Sequence, residues 1–307
     1  MLILRGLENR PPRSRLTATA IGNFDGLHLG HRKILRSLVA TAEADGLDPL
    51  VLTFSPHPEK VLGRGRIAMI QTIAQRLEGI RMQGVKTTVV VPFSRAFSLL
   101  SKEEFARDVI VSALRSRFVV VGENFRFGRR REGDVRELRR MGRDFGFSVR
   151  PVSTVVRRGR VVSSSFIRAL LRAGQVEDAA DLLGRPYEIE GRVIRGSARG
   201  KSLGIPTANM ETANEITPAG VFLTEFQIGQ RAFPSLTNVG RRPTFGHDTL
   251  HIESYLFGFS GSAYGRIIKL RFFHKLRPER KFATPEALIA QINADMAAAG
   301  SFFKGRI

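Results

Sequence analysis

The sequence predicts two domains: a parallel, doubly wound α/β domain over residues 1–184, then a small antiparallel β-barrel with a C-terminal helix over residues 185–307. Three observations carry that prediction. Short β-branched runs alternate with helix-period segments as far as residue 152. From Arg185 onward, short runs follow one another with Gly and Pro between them. A chain of 307 residues suits two domains of about 100–200 residues each.

In the first half, Leu16–Ile21, Leu50–Phe54, Thr87–Val91, Phe118–Val121 and Ser148–Val152 read as buried strands. Ile34, Leu35, Leu38 and Val39 recur at helical spacing, as do Ile73, Leu77 and Ile80, with Gly84 as a C-cap. Ser101 and Glu104 have the spacing of a capping box and open a third helix carrying Phe105 and Val109. Such alternation gives a parallel sheet with right-handed crossovers, and ligands bind such sheets beyond the carboxyl ends of the strands. Two helical segments, Ser165–Ala173 and Val176–Leu183, join the halves. Beyond them, Tyr187–Ile194, Gly220–Ile228, Ala232–Val239, His251–Phe257 and Ile267–Phe273 read as strands of a compact antiparallel sheet or barrel. Thr284 as N-cap and Pro285 as first helical residue open an amphipathic helix through Ala297.

Composition narrows the function classes. With no cysteine, disulfides, thiolate catalysis and cysteine-ligated zinc are excluded. The opening Met1-Leu2-Ile3-Leu4-Arg5 is too short for a signal-peptide core, and no run reaches the roughly 18 apolar residues of a membrane span. The expectation is a cytoplasmic protein with no membrane partner. The net charge of +21 fits polyanion binding or steering of phosphorylated substrates. Yet only Arg129-Arg130-Arg131 and Arg157-Arg158-Gly159-Arg160 are locally dense, and no tryptophan is interleaved with them, so no specific nucleic-acid partner is expected.

The first candidate site follows the first strand: Ile21-Gly22-Asn23-Phe24-Asp25-Gly26-Leu27-His28-Leu29-Gly30-His31, with a helix directly after. Glycines at 22, 26 and 30 let backbone approach a ligand closely, and His31 sits where free helix N–H groups favour anions. Two imidazoles three residues apart can serve one phosphate group, as adenylyl transfer requires when charge builds on leaving pyrophosphate. Half of a zinc site is the competing reading of His28 and His31, but no cysteine can complete it.

These residues resemble the HIGH-type nucleotidylyltransferases and, more narrowly, the N-terminal domain of prokaryotic bifunctional riboflavin kinase/FAD synthetases. Three further blocks fit: Thr53-Phe54-Ser55-Pro56-His57-Pro58, Gly122-Glu123-Asn124-Phe125-Arg126-Phe127-Gly128 with Gly133-Asp134, and Ser163-Ser164-Ser165-Phe166-Ile167-Arg168. The resemblance implies a Rossmann-like nucleotidylyltransferase fold for the first domain. It implies that Gly22, Phe24, Asp25, Gly26 and Gly30 form the nucleotide loop, with His28 and His31 stabilising the leaving group. It further implies that Asn124 contacts the nucleotide or flavin phosphate, and that Ser164, Ser165 and Arg168 hold the ATP phosphates. Ser165 stands where the family usually has threonine and keeps the hydroxyl.

In the second half, Gly196-Ser197-Ala198-Arg199-Gly200-Lys201-Ser202 is not a P-loop, because Arg195 occupies the first glycine position and Leu203-Gly204-Ile205-Pro206 follows instead of a helix. It reads as a basic, Gly-rich flap over phosphates, with Gly196, Gly200, Lys201 and Gly204 as its binding positions. In Pro206-Thr207-Ala208-Asn209, Thr207 and Asn209 share a face of an extended segment and offer hard oxygens to Mg²⁺. With Leu183-Gly184-Arg185-Pro186-Tyr187, Pro218-Ala219-Gly220-Val221-Phe222, the Asn238–Phe245 block, His251-Ile252-Glu253 and Leu276–Phe282, this region resembles the riboflavin kinase domain. That resemblance implies Glu253 as the catalytic base. Departures stand at Phe222, Ser235-Leu236-Thr237 and Ser262-Ala263-Tyr264-Gly265. The expectation is riboflavin phosphorylation to FMN and adenylylation of FMN to FAD. Riboflavin, FMN and ATP are the small-molecule partners, Mg²⁺ the cofactor, and flavoproteins the clients. The alternatives are that one activity alone is retained, or a basic nucleic-acid-associated protein.

Overall fold

The computed structural model of the chain describes residues 1–9, 16–63, 67–196, 205–244 and 247–304. The chain forms two compact units, Met1–Ser164 and Ser165–Ile307.

The first unit is built on six parallel strands: β1 (Leu2–Arg5), β2 (Thr17–Ile21), β3 (Asp48–Phe54), β4 (Thr87–Val91), β5 (Ser116–Gly122) and β6 (Ser148–Val152). Their order is β1-β4-β3-β2-β5-β6. All but β1 correspond to expected strands. β1 has four residues with no sustained alternation, and its parallel pairing with β4 makes it the edge strand.

Successive side chains of a strand face opposite sides, so the sheet feeds two cores. On one side Ala18, Ala20, Val51 and Val120 meet Leu35, Leu38 and Ala42 of α1 (Leu29–Ala44). Below, α2 (Pro58–Leu62) is a single turn, and α3 (Ile73–Arg81) adds Ile80 to that core. On the other side Leu50, Leu52, Val89, Val91, Val119 and Val121 meet Phe105, Val109 and Ile110. These follow α4 (Lys102–Glu104), whose helix widens to π-helical turns over Phe105–Ala113, with Leu114 N–H donating to the Val109 carbonyl at 2.9 Å. α5 (Val135–Phe145) adds Leu138 and Met141.

The expected capping box forms: Ser101 Oγ accepts from Glu104 N–H at 3.1 Å and Glu104 Oε2 from Ser101 N–H at 2.8 Å. Gly84 is displaced from its expected place as C-cap. Met82 caps α3 in a right-handed conformation, and the chain reverses two residues later at Gly84, φ +85°. A short hairpin of β7 (Val156–Arg157) and β8 (Arg160–Val161) closes the unit.

In the second unit α6 (Ser164–Arg172) and α7 (Val176–Leu183) precede the barrel. The expected boundary after residue 184 put both helices in the first domain; by compactness residues 165–183 go with the second unit. α7 is fastened to the barrel by Glu177, which accepts from Lys275 N–H at 3.0 Å and lies 2.6 Å from His274 Nδ1. The barrel closes through β9 (Tyr187–Ile194), β10 (Ala208–Thr212), β11 (Gly220–Ile228), β12 (Arg231–Thr244), β13 (His247–Leu256) and β14 (Ile267–Arg277). Around the barrel the order is β10-β13-β12-β11-β14-β9.

Tyr187, Phe222, Phe226 and Phe272 fill part of the interior. A buried hydroxyl chain runs through it too, from Ser235 to Thr224 (2.7 Å), Thr237 (2.6 Å) and Ser254 (2.8 Å). The polar departures Ser235 and Thr237 are thus paired, which avoids the cost of an unsatisfied buried hydroxyl. The C-terminal helix α8 (Pro285–Phe303), capped by Thr284 as expected, lays Ala299 and Phe303 on Val221, Leu223 and Leu236.

Candidate active sites

The strand order explains where the first site lies. β2 has β3 on one side and β5 on the other, so the chain's path diverges at the β2–β5 pair. Loops leaving those strands part there and open a crevice at their carboxyl ends. The His28–His31 loop leaves β2 and the Asn124 loop leaves β5.

His28 is the N-cap of α1, and its Nδ1 accepts from His31 N–H at 3.3 Å. Accepting at Nδ1 puts the proton of the neutral ring on Nε2, which makes Nε2 the donor. The two imidazoles stack with centroids 3.7 Å apart and planes 18° apart. His28 is buried and His31 half-buried. The glycines serve this packing: a Cβ on Gly30 would lie 3.1 Å from His28 Cε1, and one on Gly22 would lie 3.3 Å from the Phe24 ring. Gly26 adopts φ +86°, which a Cβ disfavours.

Phe24 and Asp25 are both 1% exposed. The Asp25 carboxylate accepts from the backbone N–H of Ile70 (3.1 Å) and Gln71 (3.2 Å), so it ties the loop to the segment ahead of α3. Arg76, which sequence reading passed over as a helix residue, donates to the carbonyls of Asn23 (2.7 Å) and Phe54 (3.1 Å). Burial lowers its pKa, while nearby Asp25 opposes that shift.

Ser164 Oγ donates to the Asp25 carbonyl at 2.9 Å. The Ser163–Arg168 block straddles the boundary between the units, with Ser165 exposed and Arg168 buried on α6.

A cavity of about 390 Å³ opens beside Gly22 and Asn124. Its apolar walls are Phe54, Phe93, Phe97, Phe105, Phe125 and Phe127. Asn23 also lines it, with a buried Oδ1 that has no hydrogen-bond partner among the described residues. Sequence reading missed this cavity because the rings come from separate segments and each reads as ordinary core. Glu123 anchors the Asn124 loop by accepting from Thr154 N–H and Oγ1, both at 2.7 Å, and these bonds hold its carboxyl below the usual range.

The second site is a row across three antiparallel strands. Asn209 of β10 pairs in register with Glu253 of β13, and Glu253 with Asn238 of β12. Directly opposed residues project from the same face of a sheet. A cavity of about 610 Å³ is lined by Thr207, Asn238, Glu253, Tyr255 and Glu279, with Arg280, Lys281 and Phe282 beyond them. Asn209 is buried, and a Cβ on Gly196 would fall 2.1 Å from its Nδ2. Asn238 Nδ2 donates to Glu279 Oε1 at 3.3 Å, while Arg277 is committed to Asp295 at 2.8 Å. Gly200, Lys201 and Gly204 of the expected flap lie outside the described residues. Among the described residues no helix is long and apolar enough to cross a membrane.

Comparison with known proteins finds a family for each half of the chain. A family model described as FAD synthetase matches residues 11–166, and one described as riboflavin kinase matches residues 183–303. The bifunctional riboflavin kinase/FMN adenylyltransferase of Escherichia coli K12 is 34% identical over 308 residues, covering 99% of this chain and 98% of that one. The protein of the same name from Pseudomonas fluorescens is 36% identical, with 97% of each chain covered. That of Bacillus subtilis is 34% identical, with 92% of each covered. A crystal structure of a Streptococcus pneumoniae protein, described as a macrolide-efflux protein, superposes with a TM-score of 0.90 at 25% identity, covering 97% of this chain and 99% of that one.

Proposed function

Because the chain belongs to the bifunctional riboflavin kinase/FMN adenylyltransferase family, we propose that its two reactions are divided between the two sites just described, each with its own residues. The chain is an enzyme of flavin-cofactor synthesis. It phosphorylates riboflavin to FMN with ATP and transfers an adenylyl group from ATP to FMN, giving FAD and pyrophosphate. The proposed domain division places the adenylyltransferase in residues 1–184 and the kinase in residues 185–307.

For the kinase, Glu253 is the base. Its carboxylate takes the proton of the riboflavin 5′-hydroxyl as that oxygen attacks the γ-phosphorus of ATP, and ADP leaves. The observation that supports this is the row Asn209–Glu253–Asn238, which sets one carboxylate beside two amides, with Glu253 and Asn238 lining a cavity. Both reactions use ATP with a divalent cation, for which Mg²⁺ is the proposed ion. Thr207 and Asn209 offer neutral, hard oxygens, which suit a cation that arrives on nucleotide phosphates. Bound there, it would offset charge on the transferring phosphoryl group. Gly196, Gly200, Lys201 and Gly204 are assigned to the flap over those phosphates.

For the adenylyltransferase, the FMN phosphate attacks the α-phosphorus of ATP. The fixed Nε2 donor of His28, with His31 stacked on it, stabilises the leaving pyrophosphate. Gly22, Gly26 and Gly30 shape the loop, Phe24 and Asp25 hold it, and Asn124 is assigned to the nucleotide or flavin phosphate. Ser164, Ser165 and Arg168 are assigned to the triphosphate by family resemblance. The phenylalanine-walled cavity suits the planar, apolar part of a flavin.

The test is a chromatographic time course of purified protein with riboflavin, ATP and Mg²⁺. FMN appearing first and FAD second is the expected result. FMN without FAD, even when FMN is supplied, would remove the acceptor assigned to the first unit.

A further inference from the structure

We propose that His251 is a positioning residue for the kinase base, fixing which oxygen of Glu253 receives the proton of the incoming hydroxyl. This rests on the reading of Glu253 as that base.

His251 and Glu253 stand two apart on β13, so both project from the same face of the strand. His251 Nε2 lies 2.8 Å from Glu253 Oε1. That nitrogen is buried, and among the described residues it has no aligned hydrogen bond, so Glu253 is the acceptor within its reach. Imidazole χ2 is a broad torsion, and a modest turn of the ring brings the N–H into line with Oε1. Opposite His251 in register stands Gly240, which brings no side chain to compete for the ring.

Of the neighbouring polar groups, the buried Asn238 Oδ1 has no hydrogen-bond partner among the described residues, while two carboxylates are engaged. Glu279 accepts from Asn238, and Arg277 is held by Asp295. Each carboxylate at this edge of the cavity therefore has its own partner, and that of Glu253 is His251.

The chemical consequence follows from the shape of a carboxylate. Its two oxygens are equivalent as acceptors until one is occupied. A donor at Oε1 leaves Oε2 to take the substrate proton and restrains rotation of the group. Proton transfer needs heavy atoms within about 2.6–3.2 Å, so a base that swings through several orientations spends much of its time out of reach. His251 keeps its Nε2 proton and passes none to or from the substrate; it acts through Glu253.

The experiment uses the full-length protein with riboflavin, ATP and Mg²⁺, reading FMN formation for the native chain and the variants His251→Leu, His251→Gln and His251→Asn. His251→Leu is expected to lower kcat about 10- to 100-fold, the effect of a misplaced reacting group. KM for riboflavin and for ATP should stay within about threefold, since ground-state binding is not the term removed. His251→Gln, whose amide nitrogen reaches the Nε2 position, should restore kcat to within about threefold of native. His251→Asn reaches only as far as Nδ1 and should fall with leucine. If leucine keeps native kcat, or asparagine and glutamine behave alike, the positioning role is overturned. If the leucine variant fails to fold, the glutamine–asparagine difference decides. Glu253→Gln separates the two claims. Retained kinase activity there removes the base itself, whereas its loss beside a fully active His251→Leu removes only the role of His251.

Discussion

At the first candidate site the assigned residues stand on loops that leave parallel strands and on the first turn of α1, whereas at the second they stand on or directly beside the strands themselves. Loops hold a geometry only where something ties them down, and the first unit shows the ties: Asp25 to Ile70 and Gln71, Arg76 to the carbonyls of Asn23 and Phe54, and Glu123 to Thr154. The barrel needs fewer such ties, because ladder register already sets Asn209, Glu253 and Asn238 side by side. A loop-built site can aim backbone and ring nitrogens at phosphate from several directions. A strand-built site offers fewer directions with less freedom. On the proposed assignment, each architecture serves a different attack, one on an α-phosphorus and one on a γ-phosphorus.

The strongest way to break this comparison is to remove one base and watch both reactions. Glu253→Gln should cost FMN formation about 100- to 10,000-fold, the range for general-base groups. FAD formation from supplied FMN should stay at the native rate, because no residue assigned to that step lies in the barrel strands. Joint loss of both activities would show that the two sites are not separable.

The reciprocal change is His28→Ala. It should lower adenylyl transfer about 100- to 1,000-fold, as loss of one preorganised donor does elsewhere. Riboflavin phosphorylation should be untouched. A rise in the KM for ATP with unchanged kcat would instead make His28 a ground-state contact.

Gly30→Ala sharpens the claim that the first site depends on how its loop is packed. Gly30 is the second residue of α1, in its first turn, where alanine is favoured over glycine by less than the roughly 1 kcal/mol of a helix interior, so thermal stability should hold. Yet the new Cβ would sit 3.1 Å from His28 Cε1 and push the ring off its stack with His31. Adenylyl transfer should fall about 10-fold or more while the melting temperature does not, since sub-ångström displacements of reacting groups are costly. An active variant of unchanged stability would show that the ring tolerates the shift.

The contrast also explains what the sequence revealed. β2 to β6 and five of the six barrel strands were legible because burial imposes β-branched runs or alternation on them. β1 and β10 were not named as strands. Each is short, and only its partner makes it one: β4 for the first, β9 and β13 for the second. His28 and His31 stand in a compact motif, so local spacing pointed to them, while Glu253 was reached through the family resemblance of its block. The phenylalanine cavity is assembled from segments as far apart as Phe54 and Phe127, and only the fold brings them together. Arg76 reads as an ordinary helix residue, and His251 as a member of a motif block with no role of its own, until their partners, two backbone carbonyls and one carboxylate, are in view.

The smallest expected effect lies in the acid response of the two units. In the first, Glu104 is held below its usual range by Ser101, Glu123 by Thr154, Asp134 by the Glu137 N–H, and Glu137 by the Lys102 ammonium. In the second, Glu286 is the one carboxylate so depressed among the described residues. A depressed carboxyl contributes stability that is present above its unfolded value, about 3.9 for Asp and 4.3 for Glu, and is lost as pH falls through the lower folded value. These groups cap α4 and α5 and hold the Asn124 loop, so acid should loosen that wall of the phenylalanine cavity before it loosens the barrel. Hydrogen exchange followed by mass spectrometry between about pH 5 and pH 3, corrected for intrinsic rates, would show protection of residues 101–137 falling ahead of β11 and β12. Glu123→Gln should remove part of that pH dependence from the loop alone. Equal loss in both units, or a loop unchanged by that substitution, would mean that acid acts on the whole chain through its charge and not on these bonds.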